Sequence, residues 1–120
     1  MPALEEVDAF MALFGLTEQH RGYVEAWSCW CVFATSVNTT TIEFIVPNGG
    51  PLARFNKGAA GLHHVAIRVP SLDAMRTGLE QQGIRLLAEE HVRGAGDFLC
   101  NFVSPVYTRG IQVELIEELS

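Results

Sequence analysis

The sequence predicts an α+β fold: two β-α-β-β-β modules whose sheets form a cup-shaped mixed sheet with the helices outside, the first module lacking its leading strand. Three observations predict it. Met1-Pro2-Ala3-Leu4-Glu5 is matched 68 residues later by Val69-Pro70-Ser71-Leu72-Asp73, and the same offset carries Gly15-Leu16 onto Gly83-Ile84. Between these anchors both copies have the apolar spacing of one amphipathic helix. After each helix come runs rich in β-branched and aromatic residues, bounded by breakers. The first module covers residues 1–47, a linker 48–61 and the second module 62–120, within one structural domain.

The first helix is expected over about Leu4 to Phe14, with Leu4, Val7, Met11 and Phe14 on one stripe. Pro2 suits a helix start and Gly15 a C-terminal cap. The polar stretch Thr17 to Gly22 fits either a strand edge or a turn. Strands follow at Tyr23 to Trp27, Trp30 to Thr35 and Thr40 to Val46, with a hairpin turn at Ser36-Val37-Asn38-Thr39. Pro47-Asn48-Gly49-Gly50-Pro51 is the strongest breaker in the chain and opens the linker.

The second module begins with an apolar strand, Leu62 to Val69, that has no counterpart in the first copy, where it would precede Met1. The missing strand is expected to lie upstream, to come from a partner subunit, or to leave an open sheet edge. Ser71 then caps a helix from Leu72 to Gln82, closed by Gly83. Strands are expected at Ile84 to His91, Phe98 to Ser104 and Gly110 to Glu117.

Composition narrows the function. At 120 residues and 48% hydrophobic content, the chain buries about 65% of its extended surface and is not disordered. With 8 basic against 14 acidic residues its net charge is −6, which disfavours nucleic acid. No apolar run reaches the ~20 residues of a membrane span, and no leader pattern opens the chain, so a cytoplasmic protein is expected. Cys29, Cys31 and Cys100 lack zinc-knuckle or redox spacing and read as buried, reduced thiols.

Strand alternation singles out three polar residues. Val65, Ile67 and Val69 share a face expected to pack on the helix, which leaves His64, Ala66 and Arg68 on the other and puts His63 on the helix side. Ile42, Phe44 and Val46 place Glu43 away from the helix, and Val113 and Leu115 do the same for Glu114. If the two helix-free faces enclose a cup, His64, Glu43 and Glu114 converge there. One imidazole and two carboxylates suit a divalent cation of intermediate hardness: Zn, Mn, Co, Ni or Fe(II). Each residue also fits the solvent-facing polar position of a half-exposed sheet.

The run Gly61-Leu62-His63-His64-Val65-Ala66-Ile67-Arg68-Val69 resembles the start of the second module in methylmalonyl-CoA epimerases, of the vicinal oxygen chelate superfamily, which also holds glyoxalase I and bleomycin-resistance proteins. The likeness continues through Gln82-Gly83-Ile84-Arg85-Leu86-Leu87, Gly94-Ala95-Gly96, Phe102-Val103-Ser104-Pro105 and Gly110-Ile111-Gln112-Val113-Glu114-Leu115. Over residues 1–60 it is looser, anchored by Pro2-Ala3-Leu4, Gly15 and Ile42-Glu43-Phe44-Ile45-Val46-Pro47. The resemblance implies paired modules, usually in a homodimer, with one metal in the cup. Its ligand positions fall on His64, Glu114 and Glu43. The last of these resembles a glutamine in the epimerases and a glutamate in glyoxalase I. A fourth ligand, from the first strand of the first module, has no counterpart here.

The resemblance further implies an isomerase or lyase that abstracts a proton next to a carbonyl on a small acyl or keto substrate. Glu114 would serve as ligand and base. Arg68, on the face of His64 by alternation, is placed to pair with a substrate carboxylate or phosphate. No second base is evident. The alternative is a bleomycin-resistance-like protein that binds a small molecule without a complete metal site. An extradiol-type dioxygenase needs two histidines and one carboxylate on iron, and only His64 is placed for that.

Overall fold

The computed structural model describes residues 1–36 and 40–119, so the turn expected at Ser36 to Thr39 falls mostly outside the described residues. The chain divides into two compact units, Met1–Gly61 and Leu62–Ser120, each combining helix and sheet in an α+β arrangement.

In the first unit, helix α1 (Leu4–Phe14) precedes an antiparallel sheet of β1 (Thr17–Val24), β2 (Cys29–Thr35) and β3 (Ile42–Pro47), in that order. Glu5 and Glu6 lie in the first turn of α1, where negative charge complements the helix dipole. The helix ends at Gly15, whose φ of 66° is left-handed, and the Leu16 N–H closes onto the Met11 carbonyl at 2.9 Å. Val7 and Met11 pack against Val32, Ala34, Phe44 and Val46, so the apolar face of β3 meets the helix as its alternation requires. Glu43 therefore lies on the opposite face.

Two expectations for this unit change. The polar stretch from Thr17 is the edge strand β1, where an exposed Glu18–Arg21 ion pair suits a strand with one free edge. The strand expected to reach Trp27 stops at Val24. Val24 pairs with Cys29, so Glu25–Ser28 must form the hairpin loop, a 3₁₀ turn with Ser28 left-handed at φ 50°. Beyond β3, a short helical turn α2 (Gly50–Ala53) carries Pro51 near its start, where no N–H is needed.

The second unit begins with β4 (Val65–Arg68), followed by α3 (Leu72–Gln81), β5 (Val92–Arg93), β6 (Phe98–Val103) and β7 (Val113–Glu118). Its sheet runs β4-β7-β6-β5, with β4 parallel to β7 and the other pairs antiparallel. Two side chains fix the start of α3. Ser71 Oγ accepts the Ala74 N–H at 3.1 Å, and Glu117 Oε1 accepts the Leu72 N–H at 2.7 Å. These satisfy two of the orphan donors at a helix N-terminus. The core is Leu72, Val103 and Leu115, joined by Val69, Met75, Leu79, Leu99 and Val113 among others.

Three expectations fail here. The first strand was expected from Leu62, but its ladder starts at Val65. Val65 and Ile67 are about half exposed, at 52% and 51%, rather than packed on the helix. The reason is position: β4 is an edge strand of its sheet, while α3 packs over β6 and β7. The strand expected from Ile84 to His91 is interrupted. Leu86 bridges Val103 and Val92 pairs with Cys100, so six steps on one side oppose three on the other.

Asn101 accounts for the interruption. It is 1% exposed; its Oδ1 accepts the Ala88 N–H at 3.1 Å and its Nδ2 donates to the Ala88 carbonyl at 2.9 Å. A side-chain amide thus takes the place of a strand partner for the looped-out residues. Nδ2 also donates to His91 Nδ1 at 3.1 Å, so His91 Nε2 carries the proton it donates to Asp73 at 2.9 Å. Asn101→Ala is expected to lower stability by about 2–3 kcal/mol, because it strands buried backbone groups. Urea titration reads this directly, and an unchanged midpoint would remove this account of the interrupted strand.

Candidate metal centre

Glu114 sits on β7 between Ala66 of β4 and Phe102 of β6 in the ladder. Its neighbours Val113 and Leu115 face α3, so alternation turns Glu114 to the other face of the sheet, where it is only 3% exposed. His64 precedes β4 by one residue, and the Val65 N–H bonds to the Gln112 carbonyl at 3.1 Å, which fixes the chain at this point.

The His64 Nε2 lies 3.0 Å from Glu114 Oε1, with the side chains 8% and 4% exposed. The His64 ring stands edge-on to Phe102, centroids 5.6 Å apart and planes at 84°. Its other nitrogen, Nδ1, lies 2.9 Å from Nδ1 of His63. The expectation that His63 points to the helix side is therefore corrected. Residues 62–64 lie outside the ladder, so the pleat does not dictate where they point.

The donor chemistry fits a divalent cation. Ligand atoms bound at about 2.1 Å on a tetrahedral zinc lie roughly 3.4 Å apart, so this nitrogen and oxygen, 3.0 Å apart in their hydrogen bond, need to part only slightly to share a cation. Both belong to ligand types that Zn, Mn, Co, Ni and Fe(II) accept.

The other two expected site residues have different settings. Arg68 is on β4, its Nε 3.1 Å from Glu118 Oε1, with side chains 77% and 56% exposed. Glu43 is half-buried on β3 of the first unit. Phe33 pairs with Glu43 and Cys31 with Ile45, so Cys31 shares the face of Glu43. Cys29 and Cys31 are buried thiols with Sγ atoms 3.8 Å apart, and Cys100 is also buried, its Sγ donating to the Val92 carbonyl at 3.4 Å. The hydrogen bond to Cys29, burial and the nearby Glu43 carboxylate all push the Cys31 thiol far above its ordinary value.

Phe102 was not among the expected site residues. The same alternation would have found it, since it stands opposite Glu114 in the ladder. His63 carried no such signal.

Comparison with known proteins identifies the family. Residues 1–102 match the family model of the Glyoxalase/Bleomycin resistance protein/Dioxygenase superfamily. The chain belongs to this superfamily. Mitochondrial methylmalonyl-CoA epimerase of Bos taurus is 34% identical over 88 residues, 70% of this chain and 50% of that protein. The Homo sapiens protein is 35% identical over 89 residues, with the same coverage. This superfamily member thus spans about half the length of those relatives. Among solved structures, methylmalonyl-CoA epimerase from Mycobacterium tuberculosis matches with a TM-score of 0.92 at 25% identity, over 100% of this chain and 83% of that one.

The burial and raised thiol of Cys31 give a prediction. Ellman's reagent is expected to label none of the three cysteines within minutes in the native protein, and all three after unfolding. A raised thiol stays protonated as pH rises through its ordinary value, so Cys31 in the native protein should remain unlabelled at pH 9. Fast reaction of a native thiol at that pH would contradict the burial.

Proposed function

We propose that this chain is an epimerase-like member of its superfamily, abstracting a proton next to a carbonyl on a small acyl or keto substrate with help from a divalent metal. A thioester such as methylmalonyl-CoA is the first candidate, since the relatives are methylmalonyl-CoA epimerases. The observation that carries this reading is the His64–Glu114 pair, buried on the helix-free face of its sheet with ligand atoms 3.0 Å apart. Such a pair contributes little to stability compared with apolar packing of the same volume. Its presence favours a functional role.

His64 and Glu114 are the proposed metal ligands, with Glu43 as a third, supported by its residue type and its position in the alternation of β3. The cation would act as a Lewis acid towards the developing oxyanion of the substrate. Glu114 is the proposed base, a carboxylate held beside the imidazole of His64. Arg68 is the proposed partner of an anionic substrate group. Its exposed pair with Glu118 is weak enough to exchange.

The chain is proposed to act as a homodimer in the cytoplasm, supported by the resemblance and by three buried cysteine thiols. No helix among the described residues is long and apolar enough to cross a membrane.

The reading is tested by metal analysis and by α-proton exchange of methylmalonyl-CoA in deuterated water. The purified protein should hold a divalent ion that His64→Ala loses. Glu114→Gln should slow exchange by about 10²-fold or more. A metal-loaded protein that binds a thioester but exchanges no proton, with binding that survives a chelator, would establish the non-catalytic binding alternative instead.

A further inference from the structure

We propose that His63 is a positioning residue that accepts a hydrogen bond from the Nδ1–H of His64 and so frees His64 Nε2 for the cation. The inference rests on the proposed metal site. It begins from a contact that no ladder imposes: the two Nδ1 atoms are 2.9 Å apart, and the rings are nearly perpendicular at 89° with centroids 5.1 Å apart. Between two imidazole nitrogens at this distance one must donate and the other accept.

The partner of Nε2 decides which. Facing the Glu114 carboxylate, which only accepts, the neutral His64 ring carries its proton on Nε2. Its Nδ1 is then an acceptor, and His63 donates from Nδ1. When Nε2 gives its lone pair to a cation, its proton must leave and the ring must be protonated at Nδ1. The bond between the histidines then reverses: His64 Nδ1–H donates and His63 Nδ1 accepts. His63 answers by carrying its own proton on Nε2. Across the change each ring keeps one proton. His64 releases one from Nε2 and takes one at Nδ1, while His63 loses one from Nδ1 and regains one at Nε2.

His63 can make this exchange because it is a second imidazole, with a nitrogen that either donates or accepts. A backbone carbonyl or a carboxylate would hold His64 in its metal-binding tautomer only. A group with a fixed N–H would hold it in the other. Phe102 braces the ring edge-on, so His64 can answer a cation by moving protons rather than by turning its ring. Partners of metal-ligating histidines typically carry 10–100-fold in metal affinity.

The test combines zinc titration with nitrogen-15 NMR of the imidazole tautomers. In the wild-type protein, zinc is expected to move His63 from the Nδ1–H to the Nε2–H form as His64 becomes Nδ1–H. His63→Phe should weaken zinc binding about 10–100-fold. His63→Asn places an amide oxygen near the lost Nδ1 and should restore most of the affinity. A wild-type protein that takes up no zinc would defeat the metal site itself. Zinc uptake with His63 still in its Nδ1–H form, or with unchanged affinity in His63→Phe, would overturn this role while leaving the metal site standing. If His63→Phe does not fold, the wild-type tautomers decide alone.

Discussion

The second unit depends on one constraint, the alternation of side chains along β7. Val113, Leu115 and Glu117 point to the helix side; Glu114, Ile116 and Glu118 point the other way. The first set builds the core and, through Glu117, bonds to the first N–H of α3. The second set supplies the partner of His64 and the partner of Arg68. A slip of one residue would place Glu114 in the core and Leu115 on the opposite face. Two ladders, parallel to β4 and antiparallel to β6, hold the register against such a slip.

Two polar residues buried in the second unit, Asn101 and Glu114, answer the cost of burial differently. Asn101 is satisfied by backbone groups of Ala88, and its role ends with the shape of the chain there. A neutral amide completing a strand needs no further explanation. Glu114 is an acid whose side chain faces an imidazole rather than a backbone donor. An apolar residue could fill the same volume at less cost. The two sites thus separate a structural polar group from one whose chemistry asks for a use.

Much of this was legible in the sequence because alternation and capping are local rules. Gly15 and Ser71 marked helix ends where they occur, and the apolar sets on β3 and β7 placed Glu43 and Glu114 on the helix-free faces. The failures share one cause, a non-local partner that no period records. The strand after Gly83 breaks because of an amide on another strand, and the β1–β2 loop is set by the pairing of Val24 with Cys29. Val65 and Ile67 stay exposed because β4 has only one neighbour in its sheet. His63 was misplaced because alternation was carried past the end of the ladder.

His64 owes its setting to that boundary. It stands close enough to β4 to inherit the register of the strand, through the bond from Val65 to Gln112. It also stands far enough outside for its neighbour to reach it, which strict alternation within a strand forbids. The ring is therefore held on three sides, by Glu114 at one nitrogen, His63 at the other and Phe102 along its edge. Each contact removes a rotation that a ligand on a loop would have to give up on binding. The ordering cost is met during folding, by a β4–β7 ladder that the core already requires. What remains adjustable in His64 is the position of a proton, a far smaller change than the movement of a side chain.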